Sequence, residues 1–242
     1  MDINRKLALV TGSSKRIGRA IAIELGRRGA RVGIHHRSAD SEKDANETFR
    51  LVRNAGGDGA VFQGELTDLR QVEEMFDDVK SAFGSLDILV NNASVFAPAT
   101  IDETTEAIWD EQMDSNAKAP FFVAQRAARL MKEGKIVNLA DVAGEVVWPG
   151  YIAYSVSKAA LIAVNRGLAK ALAPHIQVNA IAPGPVLFPE YYSEEQKKSA
   201  VERTLLKRAG SAKDIVTAAM FLIENDYITG ELIHVDGGRH II

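Results

Sequence analysis

Leu7-Ala8-Leu9-Val10-Thr11-Gly12-Ser13-Ser14-Lys15-Arg16-Ile17-Gly18 reads as a short apolar strand, a turn of small residues and the opening of a helix. An apolar run without alternation is a strand covered on both faces, the kind found in parallel sheets. Small residues between such a strand and a helix let backbone N–H groups approach a phosphate, and the helix N-terminus adds favourable partial charge. Two glycines alone would equally describe a plain tight turn. The strand before, the helix after and the adjoining Lys15 and Arg16 favour a dinucleotide.

Working outward, the same rhythm repeats along the chain. Strands are expected at Leu7–Val10, Arg31–His35, Ala60–Gly64, Leu86–Asn91, Lys135–Ala140, Gln177–Ala182 and Glu231–Val235, each bounded by Gly, Asn, Asp or Pro. Helical spacing of apolar residues covers Arg16–Gly26, Ser41–Ala55, Asp68–Phe83, Glu106–Lys132, Tyr154–Leu172 and Ala212–Ile223, and Ser193-x-x-Gln196 and Ser211-x-x-Asp214 read as capping boxes. The alternation predicts an α/β, doubly wound parallel sheet of about seven strands with helices on both faces. With no internal repeat and no linker composition, residues 1–242 read as one domain. The stretch 184–204, with Pro185, Pro189, Phe188, Tyr191 and Tyr192, falls outside the rhythm and is expected to be a loop over the ligand crevice.

Composition narrows the function classes. Of 242 residues 46% are apolar and 25% charged, and the net charge of −3 with mixed signs argues against nucleic-acid or membrane-surface binding. The first 40 residues nevertheless sum to +6 and the remainder to −9, which suits an anionic ligand near the amino-terminal part. The absence of cysteine removes thiolate catalysis and cysteine-ligated metal, and with no leader-like segment at Met1 the expected setting is the cytoplasm. The longest nonpolar stretch, Ala180 to Pro189, has ten residues, short of the ~20 that span a bilayer. The five histidines show no metal-ligand spacing.

NAD sites place an acid about twenty residues beyond the phosphate turn to hold the ribose 2′-OH. Here that neighbourhood is His35-His36-Arg37-Ser38. Lys15, His36 and Arg37 could surround a 2′-phosphate instead, so NADPH is expected over NADH. A second element, Tyr154-Ser155-Val156-Ser157-Lys158, puts a phenol and an ammonium on one helix face, where the cation would lower a tyrosine pKa that is otherwise ~10.

Thr11-Gly12-x-x-x-x-Ile17-Gly18, Leu89-Val90-Asn91-Asn92-Ala93, Asn116, Tyr154-x-x-x-Lys158, Pro183-Gly184 and Val235-Asp236-Gly237-Gly238 stand in the order and spacing of the short-chain dehydrogenase/reductase superfamily, which the chain resembles over almost its whole length. The resemblance implies a Rossmann-type fold, a nicotinamide cofactor contacted by Gly12, Ser14, Lys15, Arg16, Ile17, Gly18, His36, Arg37, Ser38, Glu65, Asn92, Ala93, Ser94, Tyr154, Lys158, Pro183 and Gly184, and a homotetramer. It makes Tyr154 the acid, has Lys158 lower its pKa and bind the nicotinamide ribose, and has Asn116 hold a water that returns protons to solvent.

Departures from the pattern are informative. The family's catalytic Ser lies thirteen residues before the Tyr, where this chain has Asp141. Arg16 replaces the middle glycine of the phosphate turn, Ser94 the glycine after Asn-Asn-Ala, and Glu65 an Asp that commonly meets the adenine. Arg16, His36-Arg37-Ser38, Ser94 with Phe96, and Asp141 are similar to the pteridine reductases and the short-chain dihydromonapterin/dihydrofolate reductases. That resemblance implies a pterin stacked on Phe96 and hydrogen-bonded by Ser94 and Arg16. Apart from any resemblance, a carboxylate near Tyr154 opposes Lys158 and keeps the proton on the phenol, which suits reduction of a C=N bond with Tyr154 and Asp141 as the proton path. Blander readings stand beside it: Phe96 as core, Arg16 and Ser94 as surface, Asp141 as a turn cap. A carbonyl reductase of the same fold, acting on a ketone, sugar or 3-oxoacyl substrate, and a non-enzymatic NADP(H) sensor are the alternatives.

Overall fold

The computed structural model describes residues 1–242. Its centre is one sheet of seven parallel strands in the order β3-β2-β1-β4-β5-β6-β7. These are β1 (Leu7–Val10), β2 (Arg31–His36), β3 (Asp58–Gln63), β4 (Ile88–Asn91), β5 (Gly134–Leu139), β6 (Ile176–Pro183) and β7 (Leu232–Val235). Chain order reverses between β1 and β4, whose register pairs Ala8 with Ile88 and Val10 with Val90. That switch opens a crevice at the carboxyl ends of the strands, where open parallel sheets bind ligands.

Helices cover both faces because their apolar stripes have nowhere else to go. On one face α1 (Arg16–Arg27), α2 (Glu42–Asn54) and α8 (Ala212–Glu224) bury Ile21, Leu25, Val52, Ile215 and Ile223 against Val10, Val32 and Ile181. On the other, α3 (Leu69–Phe83), α5 (Ala119–Leu130) and α6 (Ile152–Leu172) bury Met75, Phe76, Val123, Ala127 and Leu168 against Leu9, Leu89 and Val178. Strands sandwiched this way must be apolar throughout, which is why the sequence shows runs and no alternation.

The expected helix over 106–132 differs in one respect. It is α4 (Glu106–Met113) and α5 joined by a wider π turn at Asp114–Lys118. An extra residue in a helix leaves the apolar spacing on either side intact, so periodicity alone does not reveal it. The turn buries Asn116 completely. Within 184–204 lies α7 (Glu194–Glu202), whose start is fixed by the reciprocal Ser193 and Gln196 capping box. No helix is long and apolar enough to cross a membrane.

Side-chain amides tie the layers together at the crevice end of the sheet. Asn91 Nδ2 donates to Asn138 Oδ1 at 2.9 Å, Asn138 Nδ2 to Asn165 Oδ1 at 2.9 Å, and Asn165 Nδ2 to the Glu231 carbonyl at 3.3 Å. The chain crosses β4, β5, α6 and the approach to β7, and every bridging amide in it is buried and partnered.

Candidate active site

The turn after β1 is built around Gly12, held at φ +59°, with no room for a Cβ, which would lie 2.9 Å from the Ala93 Cα. Thr11 Oγ1 accepts from the backbone N–H groups of Asn92 at 2.9 Å and Ala93 at 3.1 Å, and Asn92 Nδ2 returns bonds to the carbonyls of Thr11 and Gly12. Gly18 is needed because a Cβ there would come within 2.5 Å of that same Asn92 amide. Lys15 precedes α1 without a side-chain cap, and the first turn of α1 has no acid, so the helix N-terminus is left for an anion.

His35, the last β2 residue but one, clamps this turn. Its Nδ1 accepts from Gly12 N–H at 2.9 Å, which places the proton on Nε2, facing the Gly64 carbonyl at 2.9 Å. Complete burial pushes its pKa down to about 4. Because the folded value lies below the unfolded one of ~6.5, this group's contribution is fully present above pH ~6.5 and is lost as pH falls toward 4. Thermal or urea unfolding across that window is expected to show a loss of about 3 kcal/mol from this residue, and His35→Asn to flatten the slope.

The expected cofactor residues lie together. Gly12, Ser14, Lys15, Arg16, Ile17, His36, Arg37, Ser38, Glu65, Asn92, Ala93, Ser94, Pro183 and Gly184 line one cavity of about 1210 Å³, which Phe96, Asp141, Tyr154 and Lys158 share. Gly18 supports the turn from behind. No acid stands at the end of β2, but the basic groups there have partners of their own: Lys15 Nζ meets Asp44 at 2.9 Å, and Arg37 Nε meets Glu65 at 2.8 Å. His36 is buried, with Nδ1 3.0 Å from the Ser38 carbonyl. Glu65 thus orients Arg37 from the neighbouring strand end.

Asp141 does two things at once. As N-cap of the 3-10 turn Val142–Gly144 its Oδ1 accepts from Ala143 N–H at 2.8 Å, while Oδ2 accepts from the Tyr154 hydroxyl at 3.0 Å. The capping role and the contact with the phenol therefore coexist, one oxygen each. Burial raises the Asp141 pKa, opposed by its hydrogen bonds and by Lys158. Tyr154 is pushed well above the ordinary phenol value by burial and by the Asp141 carboxylate. Of the two opposing influences on the phenol, Lys158 lowering and Asp141 raising its pKa, the second prevails. The ammonium donates to the Leu139 carbonyl at 2.9 Å and lies 5.7 Å from the Tyr154 ring centroid, so the nearer carboxylate wins. Burial in turn lowers Lys158 to about 8.

Both polar atoms of the Asn116 side chain are spent within the protein. Oδ1 accepts from Ser94 Oγ at 2.8 Å and Val95 N–H at 2.9 Å, and Nδ2 faces Val95 O, Gln112 Oε1 and Ser157 Oγ at 2.9, 3.2 and 3.0 Å. The π turn aims this amide into the protein, where it fixes the 94–95 segment to α6. Ser94 therefore donates inward rather than to a ligand.

Phe96 is half-buried in the cavity wall, stacked on Tyr151 (centroids 4.7 Å apart, planes 9°) and edge-on to Tyr154 at 4.8 Å. One of its faces is thus covered by Tyr151. Arg16, at φ +54° in the left-handed region that favours glycine, reaches across the crevice to the carbonyls of Leu187 and Phe188. Tyr151 and Tyr192 hydroxyls are 3.0 Å apart, a second tie between the 184–204 segment and the wall. Tyr151, Tyr192, Trp148 and Arg239 complete the far end. Aromatic residues in 184–204 hinted at Tyr192, and Arg239 belongs to the closing Asp236-Gly237-Gly238-Arg239-His240, a segment also similar to the pteridine reductases.

A family model described as enoyl-(acyl carrier protein) reductase matches residues 12–240. The 3-oxoacyl-[acyl-carrier-protein] reductase FabG of Staphylococcus aureus (strain Mu50 / ATCC 700699) is 36% identical over 244 residues, covering 98% of each chain. Among solved structures, the angucycline C-6 ketoreductase LanV with bound NADP superposes with a TM-score of 0.93 at 32% identity, over 100% of this chain and 98% of its own. FolM alternative dihydrofolate reductase 1 from Brucella canis, complexed with NADP, gives 0.92 at 32% identity, over 100% and 96%. The crossover order of the sheet, the turn after β1, the Tyr154–Lys158 pair and these similarities together make the chain a member of the short-chain dehydrogenase/reductase superfamily of oxidoreductases.

Proposed function

We propose that this protein uses NADPH to reduce the C=N bond of a pterin, dihydropterin or dihydrofolate, with Asp141, Tyr154 and Lys158 as its working side chains. The residues present fit the dinucleotide. The uncapped N-terminus of α1 suits a pyrophosphate, Lys15, Arg37 and Ser38 a 2′-phosphate, and Lys158, which spends only one of its three donors on the protein, a ribose hydroxyl. When bound, NADPH supplies the hydride. NADP is also the ligand named for the LanV and FolM structures.

The observation that carries the substrate class is the buried Tyr154 hydroxyl donating to Asp141. Reduction of a ketone builds negative charge on oxygen, and a carboxylate beside that oxygen would oppose it. Reduction of a C=N bond is helped by proton transfer to nitrogen, and positive charge developing there is favoured by an adjacent carboxylate. Burial and the Asp141 carboxylate keep the proton on Tyr154, which leaves it available for donation along the Tyr154 and Asp141 path. Asp141 offers an acceptor to ring N–H groups, and Phe96 offers an aromatic surface once Tyr151 yields its place. FolM's name as a dihydrofolate reductase supports this reading, whereas the FabG and LanV similarities favour carbonyl reduction, the second reading.

Purified protein given NADPH with dihydrobiopterin, dihydrofolate, a 3-oxoacyl thioester and a ketone panel tests it by loss of NADPH absorbance. Turnover confined to the ketones and the thioester would overturn the pterin reading. A separate check concerns Lys158. Its ammonium is present below about pH 8 and lost above. NADPH affinity, measured by fluorescence titration without any second substrate, is therefore expected to weaken as pH rises through about 8. Lys158→Arg should remove that step, since a guanidinium stays charged there.

A further inference from the structure

Two guanidinium groups stand at the far end of the cavity, beyond Asp141 and Tyr154. Arg203 is the C-cap of α7, and Arg239 opens the 3-10 turn Arg239–Ile241. Both line the cavity. At the dinucleotide end each basic side chain faces an oxygen of the protein, Lys15 that of Asp44, Arg37 that of Glu65 and Arg16 the Leu187 and Phe188 carbonyls. Arg203 and Arg239 enter no ion pair. The one side-chain hydrogen bond of half-buried Arg239 is a long 3.4 Å contact with the Ala200 carbonyl, and its guanidinium lies 5.1 Å from the Trp148 ring centroid.

The acids nearby are already engaged or remote. Asp141 holds Tyr154 and Ala143 N–H, Asp236 holds His240 and Gly238 N–H, and Glu195 is exposed on the rim against Ser193. Burial, and after it the neighbouring Arg203, hold Arg239 below the ordinary guanidinium value against the opposing pull of Asp141, Tyr192 and Asp236. From Tyr154 the wall continues through Phe96, Tyr151 and Trp148 to Arg239, with successive ring centroids 4.8, 4.7 and 5.9 Å apart. A flat ring reduced beside Tyr154 would therefore carry its substituent toward the two arginines.

We propose that Arg203 and Arg239 form an anion subsite for an oxyanion, carboxylate or phosphate, on the substituent of the substrate, so that the enzyme selects acidic-tailed substrates. The inference relies on the proposed function only for placing the substrate in this cavity. The planar guanidinium fork suits either oxyanion.

The test uses the whole protein saturated with NADP and follows Trp148 emission. Three probes without a pterin ring are titrated: p-aminobenzoylglutamate, its uncharged diamide and phenyl phosphate. Either or both acids are expected to bind about tenfold or more tightly than the diamide, and which of them does so identifies the source of the oxyanion. In Arg239→Gln, and separately in Arg203→Gln at the exposed end of α7, the preference should fall below about threefold. Equal binding of acids and diamide by the unaltered protein, or a preference that survives both substitutions, would overturn the proposal. An acid preference without pterin turnover would remove the pterin reading and keep the subsite, whereas pterin turnover without acid preference would remove only the subsite.

Discussion

Replacing Asp141 by serine is expected to lower kcat/KM for a dihydropterin about 100-fold or more, while turnover of a small ketone holds or rises. The carboxylate is the group that opposes charge on a ketone oxygen and favours charge on a ring nitrogen, so its removal acts in opposite directions on the two substrates. A serine hydroxyl can still cap the turn at Val142–Gly144, accepting from Ala143 N–H as Asp141 Oδ1 does now at 2.8 Å. Folding should therefore survive, with a cost of about 1 kcal/mol from the weaker cap and the altered Tyr154 contact. Steady-state kinetics on both substrates, alongside thermal melts, check it. A parallel fall for pterin and ketone would mean that Asp141 only shapes the turn.

Tyr154→Phe should be more severe, about 1000-fold in kcat or beyond on any substrate, with NADPH affinity little changed. The ring remains to pack edge-on against Phe96 at 4.8 Å, but the hydroxyl that meets Asp141 at 3.0 Å is gone. Asp141 then stands buried without that donor, and its pKa should climb further above the usual carboxylate range. Binding isotherms for NADPH separate this loss of proton transfer from a loss of cofactor. Residual activity above about one part in ten would move the proton source away from Tyr154.

The fold was largely legible because its determinants are local. Apolar strands bounded by Gly, Asn and Pro, helical stripes and the capping boxes at Ser193 and Ser211 announce themselves within a few residues. Strand and helix ends moved by a residue or two, as at β3, which runs Asp58–Gln63 where Ala60–Gly64 was expected. The π turn at Asp114–Lys118 was hidden because one inserted residue preserves the stripe on each side. Its consequence was hidden too, since nothing local says that Asn116 spends its amide on Ser94, Val95, Gln112 and Ser157.

The site was legible as a set of residue types and less so as a set of contacts. That Asp141 and Tyr154 meet follows from a spacing that recurs among similar proteins, but the balance between Asp141 and Lys158 over the phenol depends on distances that no spacing gives. That Glu65 pairs with Arg37, and that Arg16 meets carbonyls of 184–204, depends on segments that only the fold brings together. His35 and Arg239 act through partners remote in sequence, Gly12 and Gly64 for one and Trp148 for the other.

Competition between the two substrate classes decides whether the enzyme prefers a C=N bond or a carbonyl. Equal amounts of dihydrobiopterin and a 3-oxoacyl thioester, incubated with NADPH and the protein at limiting cofactor, are analysed by mass spectrometry of the products. Tetrahydropterin is expected to accumulate in large excess over the 3-hydroxyacyl thioester. A mixture dominated by the 3-hydroxyacyl product would contradict it and make Asp141 a structural cap in a carbonyl reductase.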